Sequence, residues 1–121
     1  MQLGERLDVV MLTIKGDSSK KSCVNLVEEI IVALKMHKVH KPIFYDYPIN
    51  DKGGVGYTYI SPISESFVLI DVWSDFKGAY LILCSCKTIC LNRISKKIRS
   101  CGYRIKQIYA KELNLGGKHA I

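Results

Sequence analysis

At 121 residues the chain is long enough for one domain with a real core and too short for two. A hydrophobic content of 48% and a charged content of 24% indicate a folded globular domain and exclude a disordered tail, and no apolar run is long enough to span a bilayer. The net charge of +7 is dispersed over groups such as Lys20-Lys21 and Lys96-Lys97-Arg99 without an RNA-binding signature, so it reads as solvated helix faces and not as a nucleic-acid surface.

The polar start Met1–Arg6 leads straight into a strand-like segment and does not resemble a secretory signal. Residues 6–14 are dense in apolar and β-branched types and predict a buried strand, broken at Gly16-Asp17-Ser18-Ser19. A helix is predicted over about 22–37, where Cys23, Val27, Ile30, Ile31 and Leu34 recur at three- and four-residue spacing. A second strand follows from Pro42 to Tyr47, and residues 48–54 form a loop by their turn chemistry. Strands are predicted at about 55–61, 66–73 and 78–85, with the break at Ser74–Gly78 suited to a hairpin. The next helix runs from Thr88, as its cap, to Cys101, with Cys90, Leu91, Ile94 and Ile98 as its stripe and Gly102 to end it. Tyr103–Ala110 is the last strand, and Gly116-Gly117 opens a loose tail.

This order predicts an α+β domain, an antiparallel-dominated sheet with both helices on one face. No element is left to cover the other face, which predicts a homodimer packed sheet against sheet. The cysteines Cys23, Cys84, Cys86, Cys90 and Cys101 are odd in number. With no secretion signal, they point to reduced thiols and a cytoplasmic location.

The run Ile63-Ser64-Glu65-Ser66-Phe67-Val68-Leu69-Ile70-Asp71-Val72-Trp73, followed by Cys86, carries the chemistry. It resembles the self-cleavage segment of the pyruvoyl-dependent S-adenosylmethionine decarboxylases of bacteria and archaea. Trp73 lies seven residues and Cys86 twenty residues after Ser66, the offsets of that family. The resemblance covers roughly residues 4–112, with a compact core at 54–86. It implies a proenzyme that cleaves itself at Glu65-Ser66 and converts Ser66 into a pyruvoyl cofactor. The substrate it implies is S-adenosylmethionine, in polyamine biosynthesis.

The resemblance also implies roles. Thr58, eight residues before Ser66, stands where the family has a serine whose hydroxyl assists processing. Cys86 stands at the position of the catalytic cysteine that donates a proton to the decarboxylated intermediate. Trp73 matches a tryptophan beside the substrate pocket, and Tyr47 could replace a phenylalanine that stacks on adenine. The family has histidine directly after the serine and again five residues after it, and this chain has Phe67 and Asp71 there. Asp71 is therefore the candidate base for the serine α-proton. That role would place it near the Ser66 α-carbon, although strand alternation puts the two on opposite faces.

Other constellations are weaker. Cys84-x-Cys86-x-x-x-Cys90 with His37-x-x-His40 lacks the paired spacing of structural zinc sites, so no metal is expected. Gly53-Gly54-x-Gly56 lacks the lysine and following helix of a phosphate-binding loop. The alternatives are a non-processing relative that binds a ligand or regulates a partner, and a decarboxylase of arginine or ornithine.

Overall fold

A computed structural model describes residues 6–48 and 55–115. The loop predicted at 48–54 falls almost wholly outside the described residues, as does the tail from Gly116. Six strands form a single sheet: β1 (Arg6–Lys15), β2 (Ile43–Pro48), β3 (Val55–Ile63), β4 (Ser66–Trp73), β5 (Gly78–Ser85) and β6 (Arg104–Asn114). Their spatial order is β2-β3-β4-β5-β1-β6, and every neighbouring pair is antiparallel. The helices are α1 (Lys20–Ala33) and α2 (Leu91–Ser100). The fold is α+β, as the sequence predicts.

Alternation along the strands separates the two sheet faces. Val10, Leu12 and Ile14 of β1, Val68, Ile70 and Val72 of β4, and Leu81 and Leu83 of β5 join Leu26, Val27 and Ile30 of α1 and Ile94 and Ile98 of α2 in one buried cluster. Each such side chain contributes about 1.5–3 kcal/mol by leaving water. The intervening residues make the open face. There Met11 (41%), Tyr45 (54%), Tyr80 (49%) and Tyr109 (46%) remain exposed.

Among the boundaries that differ from the sequence prediction, three have a clear local reason. α1 stops at Leu34 because Lys35 takes a left-handed conformation (φ 56°). The Lys35 N–H then donates to the Val32 carbonyl, and the Met36 N–H to that of Ile31. These are the two bonds of a Schellman cap. α2 begins after Cys90 and not at Thr88, because the buried Asp8 carboxylate accepts the Ile89 N–H at 3.0 Å and pins that segment to β1. Cys90 is consequently exposed, and Ile89 is buried. β3 continues through Pro62, which lies beyond its pairing with β2, where no N–H is needed; the Pro62 carbonyl accepts from Val39 at 3.3 Å.

Candidate active site

Ile63 pairs with Ser66, so Ser64 and Glu65 form a two-residue turn between β3 and β4. Neither takes a positive φ. The turn is therefore not of the primed types whose twist matches a hairpin. It is held from outside: the Ser64 N–H donates to the His37 carbonyl at 2.8 Å, from the segment joining α1 to β2. The Glu65 side chain is only 8% exposed. One of its oxygens accepts from the Ser64 hydroxyl at 2.7 Å and pairs with Lys87 Nζ at 3.3 Å. The Ser64 hydroxyl, followed by Lys87, holds the Glu65 carboxyl below the ordinary range, against the opposing effect of burial.

Ser66 opens β4 on the helix-facing side and pairs with the buried Ser85 of β5. One rung further, the Cys86 N–H donates to the Glu65 carbonyl oxygen at 3.1 Å. The Ser85 hydroxyl accepts the Lys87 N–H at 2.9 Å, which fixes the turn after β5. Glu65, Ser66 and Cys86 are thus gathered at one end of the sheet.

The other candidates gather elsewhere. Thr58 pairs with Asp71, and its hydroxyl donates to Asp71 Oδ1 at 3.0 Å. The Tyr47 hydroxyl donates to the same oxygen, with no side chain at Gly56, its partner on β3, to block the reach. Trp73 Nε1 donates to Oδ2 at 3.2 Å. Burial first, then the bond to Asp71, pushes the Tyr47 phenol up, so it stays a donor. Trp73 also meets Tyr80 edge to face at 6.4 Å between ring centres.

Thr58, whose position implies a hydroxyl that assists processing, is therefore not beside the Glu65 carbonyl within one chain. A two-residue turn fixes the register, and across it the residue eight before Ser66 lies level with Asp71. Asp71 is likewise not beside the Ser66 α-carbon: it lies on the open face, five residues along β4, or about 16 Å at the usual rise.

Asp71 and Thr58 line a depression of about 590 Å³ on the open face, together with Met11, Tyr45, Tyr80 and Tyr109. A second depression of about 260 Å³ adjoins it, walled by Trp73, Phe76, Tyr80 and Lys106. Tyr45, Tyr80, Tyr109, Ser64 and Lys87 were not singled out in the sequence. The tyrosines have an even offset from other open-face positions as their only signal, and Ser64 and Lys87 have only their nearness to Glu65 and Cys86. Among the described residues, no three His, Cys, Asp or Glu side chains are grouped to hold a metal ion. No described helix is long and apolar enough to cross a membrane.

No family model matches the sequence, and no curated protein matches it. Among solved structures, the chain is similar to the adenosylmethionine decarboxylase from Aquifex aeolicus VF5, with a TM-score of 0.64 at 14% identity. The match covers 98% of this chain and 96% of that one, so the two share a fold over their whole lengths.

Proposed function

We propose that the chain is a divergent member of the pyruvoyl-dependent S-adenosylmethionine decarboxylase family, self-cleaving at Glu65-Ser66. The observation that carries this reading is the Cys86 N–H on the Glu65 carbonyl oxygen, at the head of a strand that begins with serine. Attack of Ser66 Oγ on that carbonyl carbon moves negative charge onto the oxygen, where the Cys86 N–H already points. The tetrahedral centre collapses to an ester between Glu65 and the Ser66 side chain. Removal of the Ser66 α-proton then breaks the Cβ–O bond and frees Glu65 as a carboxylate, and water hydrolyses the dehydroalanine left at position 66 to a pyruvoyl group with loss of ammonia.

Ser66, Glu65 and the Cys86 backbone fit the formation of a pyruvoyl group. Once formed, that group would supply the electron sink for loss of carbon dioxide. The Cys86 side chain, partly exposed beside the turn, is the proton donor in this reading. A base for the α-proton is the missing part within one chain. A second copy can supply it. Two open faces packed about a two-fold axis perpendicular to the strands run their β4 strands in opposite directions. With the axis crossing β4 midway between Ser66 and Asp71, Asp71 and Thr58 of one copy would come level with the Ser66 end of the other, where opening of the Glu65-Ser66 amide releases Ser66 from the alternation that points it at the helices. The proposed enzyme is thus a homodimer with its centres between the sheets, and S-adenosylmethionine, or arginine or ornithine in its place, binds there.

Denaturing electrophoresis tests the reading. The purified chain should run as two fragments and its Ser66→Ala variant as one; a wild-type chain that stays whole would remove the activity. The bond between Thr58 and Asp71, away from Ser66, favours a second reading in that case, a non-processing relative that uses the open face to bind a ligand.

A further inference from the structure

We propose that Asp71 is the residue that recognises a positive charge on the ligand of the open face, and that the depression around it is a site for an organic cation. Three donors converge on this carboxylate, and all three are neutral: the Tyr47 and Thr58 hydroxyls on Oδ1 and the Trp73 indole N–H on Oδ2. They fix its position without neutralising its charge. Among the described residues, no Lys, Arg or His forms an ion pair with it, although the chain carries 18 basic side chains against 11 acidic ones. A carboxylate has about four acceptor positions, so three donors leave room for one more on Oδ2.

The surroundings suit a cation and no other ligand class as well. The depression of about 590 Å³ is lined by Tyr45, Tyr80, Tyr109 and Met11, and Asp71 is the one carboxylate on its lining. Aromatic faces attract ammonium, guanidinium and sulfonium groups, and a carboxylate with no charged partner adds its own attraction for them. An anion would meet the same walls with a repelling charge at their centre.

This inference rests on the decarboxylase reading only for calling the ligand a substrate. S-adenosylmethionine, ornithine and arginine each carry a positive charge besides the α-amino group, a sulfonium, an ammonium and a guanidinium in turn. Processing occurs once, before any substrate binds, so a carboxylate that took the Ser66 α-proton is afterwards free to hold that charge. A site built around a charged partner rejects a neutral isostere strongly.

Calorimetry on the Ser66→Ala chain, which cannot cleave, tests this with matched pairs: S-adenosylmethionine against S-adenosylhomocysteine, ornithine against norvaline, and arginine against citrulline. At least one cation should bind tenfold or more tightly than its neutral partner, and the pair that discriminates identifies the cation. Asp71→Asn, which keeps acceptors for its neighbours, should reduce the preference to within about threefold. Tyr80→Leu should weaken the cation more than the neutral partner, a second reading that leaves the carboxylate cluster in place. Equal affinity within every pair, no binding of any cation, or a preference that survives Asp71→Asn would overturn the proposal. Failure of the wild-type chain to cleave would leave it standing, because the assay uses a chain with no Ser66 hydroxyl.

Discussion

Around Glu65 the side chains act on a carboxylate and the backbone acts on a carbonyl. Ser64 and Lys87 hold the carboxylate, and the Cys86 N–H holds the carbonyl. The first effect has a pH signature. Because the Glu65 pKa is depressed in the folded chain, its contribution is full above the unfolded value of about 4.3 and is lost as pH falls through the lower folded value. Ser64→Ala should therefore cost about 1 kcal/mol at pH 7 and clearly less near pH 3. Urea midpoints at the two pH values measure this, and an equal loss at both contradicts it. Lys87 is 58% exposed, so Lys87→Ala should cost less than about 1 kcal/mol.

The same scale shows what the sequence could reveal of the site. Glu65, Ser66 and Cys86 are close in space because a turn and a ladder rung place them so, and the resemblance to the decarboxylase family is what pointed to them. Thr58 and Asp71 are also candidates in the sequence, where alternation already sets Asp71 on the face opposite Ser66, but nothing there shows Thr58 level with Asp71. Counting back across a two-residue turn at Ser64-Glu65 gives the register, but neither residue carries the Gly or Asn signal that marks such turns. Tyr47 could be named from its neighbourhood, but its bond to Asp71 depends on a reach between strands that no local pattern encodes.

Both helices end in the same arrangement with different residues at the left-handed position. At the end of α2, Gly102 has φ 91°, the Gly102 N–H bonds the Arg99 carbonyl and the Tyr103 N–H bonds that of Ile98. At the end of α1 the position is Lys35. Glycine announces a helix end and lysine does not, which is why one end is legible in the sequence and the other is predicted about four residues too late. Opposite effects are expected on substitution. Lys35→Gly relieves a side chain from a left-handed conformation and should stabilise the fold by up to about 1 kcal/mol. Gly102→Ala meets no atom within 4 Å, so its cost of about 1 kcal/mol is that of the backbone alone. Thermal melts of the two variants should shift in opposite directions by a few degrees; shifts of the same sign would contradict the assignment of both caps. The strands were more legible than the helix ends, because burial on one face imposes a period of two along β1 and β4. Thr88 looked like a cap, but the buried Asp8, distant in sequence, takes the donor that decides where α2 starts.

At the scale of the molecule, one sheet face is sealed by helices and the other presents Met11, Tyr45, Tyr80 and Tyr109. Pairing two open faces should bury more than about 1,000 Å² in total. Light scattering should give twice the chain mass at micromolar concentration. Tyr80→Asp should yield a folded monomer, since Tyr80 makes no contribution to the helix-covered core. A wild-type monomer would contradict the paired-sheet arrangement, and with it the delivery of Asp71 from a second copy. The uncovered face was legible from element order alone, because the described residues hold two helices, both on one side of a six-stranded sheet. Its depression was not, because its lining comes from all six strands, which are distant in sequence.

The central claim is that Glu65-Ser66 is a bond the chain breaks itself, and intact-mass spectrometry of freshly purified protein tests it most directly. The account predicts two species meeting between residues 65 and 66, the second lighter by one ammonia than a fragment beginning with serine. A single species near 13.7 kDa, unchanged on prolonged incubation, would contradict it.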